Sequence, residues 1–205
     1  MQAILVANPK GGSGKSTLTT NLAGCLAQRG QSVQLLDLDR QKSATRWLKR
    51  RPADLPAIGL LGEGEETADW LVIDSPAGLH GKNLDHALKL VGKIVVPVAP
   101  SLFDMQASQD FLLSLAEEKA VRKGRVDVAM VGMRMQPRTR AAVTLEQFLA
   151  QLDLPVLAYL RDAQVYVNVA FEGRSLFDLP PRQTARELEN WQGLLDWLGI
   201  PAAHP

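Results

Sequence analysis

The 205-residue chain is 46% hydrophobic and 22% charged, proportions of a polypeptide able to bury a sizeable core. Its 23 basic and 22 acidic residues leave a net charge of +1, which excludes a globally basic nucleic-acid binder and leaves only local clusters to weigh. The single cysteine, Cys25, excludes an intramolecular disulfide, a CxxC redox pair and an unaided iron–sulfur cluster, and no apolar run approaches the ~18 residues of a membrane-spanning helix.

In chain order, short runs rich in Val, Ile and Leu alternate with segments of helical period. This pattern predicts an α/β fold: a single domain over residues 1–205 with a mainly parallel β-sheet flanked by helices on both faces. Strands are expected at residues 3–7, 33–38, 58–61, 70–74, 94–98, 126–132 and 156–159. Helices are expected at 16–29, 41–49, 84–91, 105–119, 145–151, 163–171 and 184–198. Several strands are apolar almost without a break, as strands covered on both faces are. In the first helix Leu18, Leu22, Cys25 and Leu26 share one stripe, which makes Cys25 a core residue rather than a reactive thiol. Residues 52–69, with two prolines, three glycines and an acidic bias, read as a surface connection around a short strand. The start of the chain has no basic region before its apolar run, so it does not read as a signal peptide, and the expected location is cytoplasmic.

Between the first strand and the first helix stands Asn8-Pro9-Lys10-Gly11-Gly12-Ser13-Gly14-Lys15-Ser16-Thr17. Glycines let backbone N–H groups converge on phosphate oxygens, and the following helix directs its positive end at the anion. The expected ATP contacts are therefore Lys10, Gly11, Gly12, Ser13, Gly14, Lys15, Ser16 and Thr17, with Lys15 on the β and γ phosphates and the Ser16 hydroxyl on Mg²⁺. The ordinary GxxxxGK[ST] pattern fails, because its first glycine falls on Pro9. What matches is KGGxGK[ST]T, with the additional lysine Lys10. In this the chain resembles the ParA/MinD superfamily of deviant-Walker P-loop ATPases, in which the signature lysine corresponds to Lys10.

A P-loop needs a carboxylate at the end of a neighbouring strand for its metal, and two apolar strands here end in aspartate, at Asp37 and at Asp74. Residues 70–74 look like a Walker B strand, followed by the turn Ser75-Pro76-Ala77-Gly78. Asp37-Leu38-Asp39-Arg40-Gln41 resembles the family's DxDPQ element, with Arg40 in place of the proline. The resemblance implies metal roles for Ser16, Asp37 and Asp74, a water-orienting role for Asp39, and catalytic roles for Lys10, Lys15 and Asp39. It also implies an ATP-bound homodimer in which Lys10 reaches the partner's phosphates, so that hydrolysis loosens the association.

The resemblance is strongest over residues 3–41 and 71–78 and weaker over 94–104, 161–166 and 170–176. Because the chain opens on its first strand, it looks like the small ParA type without an amino-terminal helix-turn-helix. That type implies a slow ATPase, stimulated by a small ParB-like or cargo-adaptor partner, that binds nonspecific DNA when dimeric and segregates plasmid or other DNA over the nucleoid. A protein cargo such as a carboxysome or chemotaxis cluster is the alternative. Nonspecific DNA binding requires a basic surface. Arg138 and Arg140, with Arg161, Arg182 and Arg186, are the chosen residues; Arg134 belongs to the same cluster, and a second one spans Arg40, Lys42, Arg46, Lys49, Arg50 and Arg51.

A MinD-like protein would instead place an amphipathic helix on a membrane, but the last helix carries Asp196 and no Lys or Arg near its end, so docking on the core is expected. A small-molecule ligase of the dethiobiotin-synthetase type shares the phosphate loop, and no acceptor pocket is recognisable for it. Only Tyr159 and Tyr166 occur, against a tyrosine autokinase tail, and Cys25 alone cannot serve a nitrogenase-type iron protein.

Overall fold

A computed structural model describes residues 1–63 and 67–200. Of the acidic stretch read as a connection, residues 64–66 lie outside the described part. Among the described residues seven strands form one sheet: β1 (Gln2–Val6), β2 (Val33–Asp37), β3 (Gly59–Leu60), β4 (Trp70–Asp74), β5 (Lys93–Val98), β6 (Asp127–Met135) and β7 (Val156–Arg161), in the order β3-β2-β4-β1-β5-β6-β7. Every pairing is parallel. The helices are α1 (Lys15–Gln28), α2 (Ser43–Leu48), α3 (Gly81–Leu90), α4 (Leu102–Glu117), α5 (Lys119–Arg122), α6 (Arg140–Ala150), α7 (Gln164–Phe171), α8 (Pro181–Glu189) and α9 (Gln192–Leu198), with a 3-10 turn at Leu176–Asp178.

The unbroken apolar strands have the cause expected of them, because the sheet is covered on both faces. Ile4, Val6, Val72 and Val95 join Leu18, Leu22, Cys25 and Trp191 in one core, whereas Leu5, Ile73, Ile94 and Val96 join Leu84, Phe111, Leu115 and Leu145 in the other. Neighbouring residues of a strand thus feed opposite cores, and both need to be apolar.

Differences from the expected boundaries have local reasons. Helix α4 starts at Leu102 because the Ser101 hydroxyl accepts the Asp104 N–H (3.2 Å), and α6 starts at Arg140 because Thr139 does the same for Ala142 (3.2 Å). The single helix expected over 184–198 is two. The chain turns at Asn190 and Trp191, where Trp191 is fully buried, donates from Nε1 to the Tyr166 hydroxyl (3.0 Å) and meets Phe177 edge-on at 5.4 Å. Beyond it Leu194, Leu195 and Leu198 are buried, so the last helix docks on the domain's own core, as expected. No described helix is long and apolar enough to cross a membrane.

Candidate nucleotide site

Parallel pairing aligns the strand ends. Val6 pairs with Asp74, and Asp74 pairs in turn with Asp37, so the phosphate loop after β1 and both aspartates emerge at the same carboxy-terminal edge. The loop is anchored at its start by Asn8, whose side-chain amide donates to the Pro97 carbonyl (2.8 Å) and to Ser108 Oγ (2.8 Å), while its Oδ1 accepts the Lys10 N–H (2.8 Å). Gly12 and Gly14 adopt φ of +78° and +97°. A Cβ on Gly14 would also lie 2.7 Å from Met133 Cε, the movable end of a flexible side chain, so it is the backbone conformation that calls for glycine here.

The two lysines of the motif touch each other's residues. Lys15 Nζ donates to the Lys10 carbonyl (2.8 Å), which also accepts from Ser13 Oγ (3.2 Å). Burial pulls the Lys15 ammonium below its ordinary pKa, and the Asp74 and Asp39 carboxylates partly offset this. Ser16 Oγ donates to Asp74 Oδ2 at 2.6 Å. Asp74 is fully buried, and its carboxyl is pushed up to about 6, chiefly by burial, against the hydrogen bond from Ser16. A hydroxyl beside a buried carboxylate is a hard-oxygen donor set, which suits Mg²⁺ holding part of its water shell and phosphate oxygens.

Asp37, the other strand-end carboxylate, braces the backbone beside the site. Its Oδ2 accepts the N–H (2.9 Å) and hydroxyl (3.0 Å) of Thr45, and its Oδ1 accepts the Asp39 N–H (3.0 Å), so both oxygens hold the segment between β2 and α2. Asp39 closes that segment by accepting the Gln41 N–H (2.8 Å). Arg40, in the proline's place, is exposed in this turn, and Asp39 faces the cavity.

Two cavities meet at the loop. One, of about 800 Å³, is lined by Gly11, Gly12, Lys15, Asp39, Pro76 and Gly78 among others, and collects the polar groups of the motif. The second, of about 510 Å³, is mostly apolar, with Met133, Ala163, Tyr166, Val167, Ala170 and Phe171 in its wall. Their shared lining is Gly14, Ser16, Thr17, Ser43 and Arg134. The apolar cavity was not foreseen from the sequence, because Met133, Arg134 and the α7 residues that close it against Thr20, Arg46, Trp47 and Arg50 lie well over 100 positions beyond the loop, where no motif marks them.

These features match one family of domains. The model of the CobQ/CobB/MinD/ParA nucleotide binding domain aligns with residues 4–176. The chain belongs to that family. Among curated proteins it is similar to maintenance of carboxysome distribution protein A of Halothiobacillus neapolitanus, at 30% identity over 87% of this chain and 88% of the relative. It is also similar to protein ParA of Rhizobium radiobacter, at 26% identity over 69% of this chain and 68% of that one. Among solved structures an ATP complex of a Cyanothece McdA variant superposes with a TM-score of 0.76 over 100% of this chain and 99% of its own, at 16% identity. The ParA/MinD resemblance read from the loop thus stands, and the fold is that of these P-loop ATPases.

The arginines chosen for DNA do not form one group. Arg138, at φ +69°, and Arg140 are exposed at the amino-terminal end of α6, and Arg182 and Arg186 are exposed on α8. Arg161 stands apart from these four: it lines the apolar cavity and pairs with Glu187 Oε1 of α8 at 2.7 Å. In the other cluster Arg51 is likewise occupied, its buried guanidinium gripping Asp178 with two bonds of 2.9 and 3.0 Å.

Proposed function

We propose that this chain is an ATP-dependent dimerising switch that positions a cargo, and that ATP lies with its triphosphate in the polar cavity and its base in the apolar one. The observation that carries this reading is the single edge at which the loop of residues 10–17, Asp39 and the Ser16–Asp74 pair converge. Lys15 leaves the Lys10 carbonyl to meet the β and γ phosphates, so the loss of its internal hydrogen bond is repaid by anionic oxygens. Ser16, with Asp74 behind it, would hold Mg²⁺, which supplies charge neutralisation for phosphoryl transfer. Asp39 accepts a hydrogen bond from the attacking water, while Asp37 fixes the backbone that carries it. Lys10 serves the phosphates of a second copy, which couples hydrolysis to dimer lifetime.

The Lys15→Ala variant is expected to lose tight ATP binding and dimerisation. Asp39→Ala is expected to keep ATP and remain dimeric. Equilibrium binding of a fluorescent ATP analogue checks both; unchanged affinity in Lys15→Ala contradicts the assignment.

The dimer acts on nonspecific DNA over the nucleoid, with Arg138, Arg140, Arg182 and Arg186 as the phosphate contacts, and a small partner protein stimulates slow hydrolysis. Salt-sensitive retention on nonspecific DNA with ATP but not ADP is the expected outcome. Retention by anionic liposomes instead would favour a MinD-like reading, and turnover requiring a small acceptor would favour a ligase. For the cargo, similarity to a carboxysome distribution protein over most of both chains supports a protein assembly, and the weaker similarity to protein ParA supports plasmid DNA.

A further inference from the structure

Arg134 stands where β6 breaks step with its neighbour. The β6–β7 register shifts between Gly132 and Met135, and within that irregularity Arg134 takes a φ of +52°, a left-handed conformation unfavourable for a residue with a side chain. Regular strand geometry would continue the alternation of β6 and turn position 134 away from its present direction, so the bulge re-aims this side chain. The result is a guanidinium bordering both nucleotide cavities and a third, smaller one lined by Ser101, Asp104, Gln136 and Asp162. Arg134 is exposed, and among the described residues its side chain makes no ion pair and no hydrogen bond.

We infer that Arg134 is a nucleotide-binding residue that takes the α-phosphate. The inference rests on the two-cavity placement of ATP proposed above. A nucleotide whose base occupies the apolar cavity and whose terminal phosphates occupy the polar one carries its α-phosphate through the junction between them. Of the five residues shared by both linings, Arg134 is the charged one. Gly14, Ser16 and Thr17 offer backbone N–H groups and hydroxyls there, and Ser43 a further hydroxyl, so a planar cation completes a site for an anionic tetrahedral group. Asp162, which lines both the third cavity and the apolar one, accepts from Gln136 Nε2 (3.0 Å) and makes no ion pair with Arg134.

The test is competition of AMP, ADP, ATP and adenosine against a fluorescent ADP, on the wild-type chain and on Arg134→Gln, Arg134→Lys and Arg134→Gly. Removing the cation weakens AMP, ADP and ATP by a similar factor, on the order of tenfold or more, because the α-phosphate is common to all three. Adenosine is unaffected, and Arg134→Lys retains part of the affinity. Arg134→Gly separates binding from folding: without nucleotide its melting temperature is no lower than wild type, since glycine adopts the left-handed backbone freely, yet it binds nucleotides as weakly as Arg134→Gln. Equal affinities in wild type and Arg134→Gln, a loss confined to ATP, or an equal loss for adenosine would each overturn the inference. A wild-type chain that binds no adenine nucleotide would instead contradict the reading on which it rests.

Discussion

Two residues of the site are held in positions that a substitution would disturb in measurable ways. Gly14 sits at φ +97°, a backbone that a side-chain-bearing residue adopts only under strain, while the Met133 methyl 2.7 Å from where a Cβ would sit can move aside. Gly14→Ala is therefore expected to lower stability by roughly 1–3 kcal/mol and to displace the loop, read by urea unfolding and by loss of nucleotide affinity. Asp37 uses both carboxylate oxygens on Thr45 and Asp39, so Asp37→Asn keeps the geometry in part while Asp37→Ala frees the switch segment. At this scale the loop residues were legible in the sequence, since a phosphate site is built from adjacent positions and glycine spacing records it. The role of Asn8 was not: its partners Pro97 and Ser108 lie 89 and 100 positions away, and nothing in a local pattern reports such a bond.

Between elements, α2 is fixed at both ends. Asp37 holds its first turn through Thr45, and just past its end Arg51 is paired inside the protein with Asp178 of the 3-10 turn, to which Gln28 of α1 also donates (2.7 Å). Burial alone would raise the Asp178 carboxyl, but hydrogen bonds from Arg51, Gln28 and Ser175 outweigh it and hold it below its ordinary value of 3.8. A carboxyl whose folded pKa is depressed contributes stability that is fully present above its unfolded value and is lost as pH falls through the folded one. Urea unfolding followed from pH 7 into acid should show that loss in the wild type. Asp178→Ala should cost about 3–5 kcal/mol at neutral pH, because Arg51 is left buried without its partner, and should flatten the acid limb. The elements themselves were largely legible, since all seven strands fall where their apolar runs place them. The pairing was not, because Arg51 reads as one more surface arginine beside Arg50. Nor was the break before α9. There Gly193 lets the helix backbone approach the Leu157 carbonyl to a distance at which a Cβ would lie 2.3 Å from the oxygen, a contact between segments 36 positions apart. Gly193→Ala is expected to lower the melting temperature without changing nucleotide affinity.

At the scale of the whole molecule, all parallel pairings bring the loop, the two aspartates and the turn after β4 to one edge, where the Gly78 N–H donates to the Pro9 carbonyl (3.0 Å). That edge also exposes Leu38, in the wall of the polar cavity, and, on the first turn of α4 just after β5, the apolar side chains of Leu102 and Phe103. A second copy seated there would bury these groups and bring its Lys10 to the nucleotide, which gives ATP control over association. The arrangement of strands was legible from the order of βα units, whereas the proposed assembly has only the motif lysine to point to it in the sequence and no periodicity to reveal it.

The most direct measurement is the mass in solution of the Asp39→Ala chain, by light scattering after size exclusion, with Mg²⁺ and either ADP or ATP, beside the double variant Lys10→Ala, Asp39→Ala. The account predicts a monomer with ADP, a dimer with ATP, and a return to monomer in the double variant. A monomer under all conditions, or a dimer indifferent to nucleotide and to Lys10, would contradict it.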